Sequence, residues 1–276
     1  MISVVIGLVI VAAVTVMYVS SGWANRYQSA LSEMNENAQM ALNIIGRDLQ
    51  LAGYSAVSGK TVVSGGSRFT KRFTGDAGAA GRVVFGCDSG FQVVAGSNYT
   101  CLTTGVSNAV EIQYQATAEN TVLTSTGEPT DCLGNGLTDE DATAATLYVA
   151  RNRYHVMTGT TGRPELHCAS RANSGQNEPL VDNVEALRVW YGVGNAAGQV
   201  GQYLGATAIA TAGLNWSNVY SVRLCVLMRS ADKVLDSSET GTRSYTDCDL
   251  VSRTSTDNYA RRAYFSTVAL RNKLAP

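Results

Sequence analysis

Twenty-five residues pass before this chain carries its first charge, Arg26. Met1 to Val19 reads MISVVIGLVIVAAVTVMYV, about the length one helix needs to cross the hydrocarbon core of a bilayer. From Trp23 to Ala52 a helical hydrophobic period continues, with no proline and one interior glycine, Gly46. A secretory signal peptide would place basic residues before the apolar run and a small-residue cleavage site after it. No Lys or Arg precedes the run, and Ser20-Ser21-Gly22 leads straight into more helical pattern. A plain membrane anchor accounts for residues 1–20 but gives no reason for the helix to go on.

The continuation is read by angle. At about 100° per residue, Trp23, Tyr27, Leu31, Met34, Ala38, Leu42, Ile45, Leu49 and Ala52 fall on one face. Arg26, Ser29, Glu33 and Glu36 make the opposite face polar, and beyond residue 39 that side turns apolar with Met40, Ile44 and Leu51. Two apolar sides predict burial on two sides, one against the chain's own domain and the other against neighbouring helices. Gly53, directly after the last periodic residue, suits the left-handed position that ends a helix. Residues 1–52 would make a rod of about 75–80 Å. An apolar helix of membrane length, then an amphipathic one, then a domain: this is the layout of a subunit that leaves the membrane to pack in a helical filament.

Residues 53–276 suit one globular domain. High glycine (27), low proline (4) and abundant Ser, Thr, Val and Asn favour strands and long loops. With 21 basic and 22 acidic residues the net charge is −1, so charge makes no case for nucleic acid or an anionic membrane surface. Six cysteines, Cys87, Cys101, Cys132, Cys168, Cys225 and Cys248, all lie beyond the apolar run. An even count in a domain held across a membrane predicts three disulfides in an oxidising compartment. Fifteen pairings are open, and sequential ones are favoured because each closes a local loop. Zinc is disfavoured: no C-x-x-C occurs, and only His167-Cys168 sets two soft ligands together.

Ala109–Ala116 alternates Val110, Ile112 and Tyr114 with Glu111, Gln113 and Gln115, as a strand with one wet face should. Thr146–Met157, Ala186–Val193, Val219–Arg229 and Arg262–Arg271 are further strands, with a short helical turn expected over Asn183–Leu187 and a short helix over Ala206–Gly213. Residues 54–82 and 232–260 read as loops, the second tethered by Cys248. The fold class expected is α+β: a long N-terminal helix whose far half packs on an antiparallel sheet with disulfide-tethered loops.

Glu36–Ser55, ENAQMALNIIGRDLQLAGYS, following that apolar run, resembles the stalk of type IV pilins and specifically of the PilW family of minor pilins. Arg47-Asp48-Leu49 and Ala52-Gly53-Tyr54 match the stretch that ends the helix in that family. Val181–Val193, Val219–Ser230 and Arg261–Asn272 are similar too, in the family's order. The resemblance covers the helix and the C-terminal third well, and residues 55–180 weakly. It implies a structural subunit, held in the inner membrane before assembly and extracellular after it, that primes pilus assembly and joins the tip. The partners implied are other minor pilins, the major pilin and a tip adhesin, with no nucleic acid and no cofactor. A minor pseudopilin of type II secretion (the GspJ type) is a close alternative, and an adhesive or DNA-uptake tip subunit a further one. Pilins of this kind begin with a basic leader, a cleaved glycine and a nearby glutamate. Met1-Ile2-Ser3 resembles the sequence just past that glutamate, so the processing site is not expected within these residues.

Residues that carry chemistry are sparse. His155 and His167 are the only histidines and have no triad or metal spacing around them. G-x-S-x-G, Walker and H-E-x-x-H patterns do not occur. Asp139-Glu140-Asp141 lacks the alternating oxygen ligands of a calcium loop and is expected to be a solvated turn. Asn98-Tyr99-Thr100 and Asn215-Trp216-Ser217 match the glycosylation pattern at chance level.

Overall fold

In the computed structural model, described over residues 2–63, 66–75, 82–93, 100–105, 107–140, 146–170, 176–195, 197–235 and 243–273, the first helix is unbroken. It is α1, Ile2–Leu51. Neither Gly7 nor Gly22 interrupts it. The helix ends where the sequence supplies a residue free to turn: Gly53 has φ +74°. Its N–H donates to the Gln113 carbonyl at 2.9 Å, so the turn itself is fastened to the sheet beneath.

Beyond the turn come β1 (Val57–Val63) and β2 (Gly66–Lys71), paired as a separate antiparallel hairpin. A five-stranded antiparallel sheet then forms in chain order from β3 (Val84–Cys87), β4 (Ala109–Ala116), β5 (Tyr148–Thr158), β6 (Pro164–Ser170) and β7 (Asn177–Asp182). The chain continues through β8 (Val184–Gly194), β9 (Val200–Leu204), the short helix α2 (Ala206–Thr211) and β10 (Val219–Lys233). A hairpin, β11 (Arg243–Thr246) and β12 (Ser252–Ser255), precedes β13 (Tyr259–Ala269). The second main sheet has the order β13-β10-β8-β9. The core lies where α1 meets both sheets: Met34, Ala38, Ala41, Ile45 and Leu49 pack with Ile112, Tyr154 and Leu166 on one side and Leu187, Leu224 and Met228 on the other. Each large apolar side chain buried there stabilises by about 1.5–3 kcal/mol.

Four expectations need correction. Two main sheets, not one, receive the helix. The stretches 54–82 and 232–260 are not only loop, because each contains a hairpin. No helical turn forms over Asn183–Leu187; β8 starts at Val184, and Asn183 alone takes φ +62°, a conformation asparagine tolerates better than most residues. That one residue passes the chain from the five-stranded to the four-stranded sheet. And β4 has no wet face, since all eight of its residues are buried.

Candidate functional site

The stalk is two surfaces in one helix. The large apolar side chains from Ile2 to Tyr18 are 54–81% exposed, and none of them touches the core. An 18-residue window with a mean hydropathy of 2.7 marks this half as apolar and long enough to cross a membrane. Left in water it would expose far more contiguous apolar surface than a soluble monomer carries, so lipid or other helices must cover it.

The other half is seated. Ala30, Met34, Ala38, Ala41, Ile45, Leu49 and Ala52 are buried, and the alanines let the helix lie close on the strands. Of the two apolar sides, between which the sequence does not choose, the one that continues from Trp23 is the side that meets the domain, from Met34 onward. Leu31 and Leu42 flank it half-buried, while Trp23 is half-buried and Tyr27 is 39% exposed. The second apolar side is narrower than its sequence suggests. Ile44 and Leu51 pack half-buried on the margin of the core, and Met40 alone stands clear at 52% exposure.

One member of the seat is polar. Asp48, 8% exposed, accepts from Tyr154 Oη at 2.6 Å, Asn152 Nδ2 at 2.7 Å and Tyr114 Oη at 3.2 Å. All three donors stand on β4 and β5, so a single carboxylate clasps the end of the stalk to the five-stranded sheet. Burial pushes the Asp48 carboxyl above its ordinary range, opposed by the hydrogen bonds from Tyr154, Asn152 and Tyr114. Burial beside Asp48 raises both tyrosine hydroxyls as well. Asp48 was legible only as part of a family pattern, not as a core residue.

The opposite face of that sheet is also covered. Arg153 Nε meets Glu111 Oε2 at 2.5 Å with both side chains wholly buried, and Gln113 Nε2 donates to Glu111 Oε1 at 2.6 Å. The Cys87–Cys101 disulfide ties down a loop whose Phe91 ring lies 4.5 Å from Arg153 Cζ and whose Val93 carbonyl takes a 2.8 Å hydrogen bond from Arg153 Nη1. His155 and His167 are direct cross-strand neighbours here, ring centroids 5.9 Å apart. His167 Nε2 lies 3.1 Å from Glu165 Oε2. Burial, with His167 beside it, pulls the His155 imidazole down to about 4. Among the described residues no group of three His, Cys, Asp or Glu side chains is placed to hold a metal ion.

The remaining cysteines form Cys132–Cys168 and Cys225–Cys248, so all six pair in chain order. Asp139 accepts from the Leu147 N–H at 2.7 Å and Glu140 pairs with Arg151; Asp141 lies outside the described residues. Asn215 caps the turn at Trp216–Asn218 through the Ser217 N–H, and Asn98 also lies outside the described residues.

Residues 153–272 match the family model described as Type IV Pilus-assembly protein W, PilW. That span holds the three C-terminal segments that carried the resemblance, with β8, β10 and β13, of which β10 and β13 meet the seated half of α1. No curated protein matches the chain. A type IV-like pilin from Thermus thermophilus aligns over 87% of this chain and 98% of its own, at 15% identity and a TM-score of 0.36.

Proposed function

We propose that this chain is a minor pilin, a structural subunit of the type IV pilus. Residues 1–52 serve first as membrane anchor and then as stalk. Residues 53–276 form the domain, held on the periplasmic side of the inner membrane before assembly and outside the cell after it. The observation that carries this reading is the division of one unbroken helix into a bare apolar half and a half seated on the domain. An anchor alone needs no such rigid continuation, whereas a stalk must transmit the domain's position to the filament axis. The PilW match on the C-terminal strands supports the same reading. Its work is packing, not catalysis, with other minor pilins and the major pilin as partners and priming and tip formation as its place in assembly.

Met40, with the open edge of Ile44, is the seated half's remaining apolar contact for a neighbouring stalk. Met40→Glu puts a charge on a side chain that its own fold leaves in water, so the domain should unfold as the unaltered one does. An unpaired charge in a packed interface costs several kcal/mol. Co-purification of the other pilins with a tagged Met40→Glu chain is expected to fall at least about tenfold. Ile44→Asp should do the same, scored only if its unfolding transition stays cooperative. Undiminished co-purification of both variants would contradict the reading.

A further inference from the structure

Whole-chain neutrality gives no reason to expect contact with an anionic surface, but basic side chains gather at one cleft beside the stalk. Tyr27 of α1 lines a cleft of ≈ 320 Å³ together with Arg243, Ser244 and Tyr245 of β11 and Tyr259 and Arg261 of β13. Tyr27 is seven residues past Ser20, the end of the apolar run, or about 10 Å along the helix. The polar layer on each side of a bilayer's hydrocarbon core is about 5–8 Å deep. A stalk still in the membrane therefore holds this cleft at the outer edge of the headgroup layer. Arg26, the first charge, stacks its Cζ 5.7 Å from the Trp23 ring just below, as residues at a membrane interface do.

The cations around the cleft differ in what they pair with. Arg261 is satisfied twice, by Glu185 and by Asp257. Arg229 and Lys233, at the end of β10, flank the Tyr259 ring instead, with Arg229 Cζ at 4.2 Å and Lys233 Nζ at 5.9 Å from its centroid. The ring holds both cations in place without neutralising either. Arg229 Nε is buried with no hydrogen-bond acceptor among the described residues. Two oriented cations that no carboxylate among the described residues neutralises call for an anion.

We propose that this cleft binds the phosphate headgroup of an anionic phospholipid in the leaflet on the domain's side, so that the subunit rests on the membrane in a fixed orientation before it is extracted. The proposal rests on α1 spanning the membrane. The full chain, reconstituted in nanodiscs of phosphatidylcholine alone or with phosphatidylglycerol, tests it by hydrogen–deuterium exchange. Phosphatidylglycerol should slow exchange several-fold over residues 229–235 and 259–261, and high salt or Arg229→Gln with Lys233→Gln should remove that slowing. Each cation lost should weaken the contact about fivefold. Equal exchange in the two lipids, or slowing that survives the double variant, overturns the proposal while leaving the anchor intact. Inorganic phosphate reproducing the effect in phosphatidylcholine discs would make this a free-anion site and overturn the lipid assignment. A chain that fails to insert at all would overturn the membrane reading beneath both.

Discussion

Asp48 concentrates the problem of joining a stalk to a domain in one side chain. Three hydrogen-bond donors from two strands converge on it, and removing the acceptor leaves Tyr154 Oη buried and unanswered, with Asn152 Nδ2 and Tyr114 Oη left only their mutual 3.3 Å contact. Asp48→Ala should therefore destabilise the domain by about 2–4 kcal/mol, read from urea unfolding of the full chain in detergent. Asp48→Asn keeps an acceptor and should cost less. The pH dependence has a definite sign. Burial raises the folded carboxyl's pKa, so its contribution is fully present below the unfolded value near about 3.9 and is lost as pH rises through the folded one. The stability of the unaltered chain relative to Asp48→Asn should thus fall as pH rises from the acid side; a difference that grows with pH would contradict the assignment. Sequence could not single this residue out. The core face was traced through apolar positions only, and a carboxylate on it becomes intelligible only when Tyr114, Asn152 and Tyr154 arrive from far along the chain. Glu111 is the same case, since nothing local to β4 says that Arg153 and a disulfide-held loop will cover it.

Elements were more legible than residues where their signal is local. The helix could be bounded to within a residue at its far end because apolar period and a terminating glycine agree, and β4 was bounded by its alternation. Its burial was not, because alternation reports side-chain direction and not what lies beyond. The second apolar stripe fails for a related reason. An angular wheel treats the partner as a line, whereas two sheets wrap the helix broadly enough to take in Ile44 and Leu51 at their edge. The seat itself is close-packed, and this gives a contrast between adjacent positions. Ala41 is fully buried, so Ala41→Leu should overpack and destabilise by about 1–3 kcal/mol. Met40→Leu, one residue back along the helix, should stay within about 0.5 kcal/mol. Equal costs at the two positions, measured by denaturant unfolding, would mean that the helix is seated differently.

For the whole molecule, the sequence conveyed a long helix on an antiparallel sheet and three local disulfides, but not the division into two sheets. That division hangs on Asn183, whose left-handed backbone no periodicity announces, and on strand pairings such as β10 with β13 that local pattern does not encode. The resulting molecule is one unbroken helix with a clasped domain at one end and a bare apolar run at the other, and with Met40 on the side of the stalk its own domain leaves open. The direct measurement is photocrosslinking in cells that assemble pili, with benzoylphenylalanine in place of Met40 or, separately, of Ala41. Position 40 should yield adducts to the stalk helix of another pilin, and position 41 only links within the chain. Adducts confined to the chain's own domain at both positions would contradict a stalk that works by packing against its neighbours.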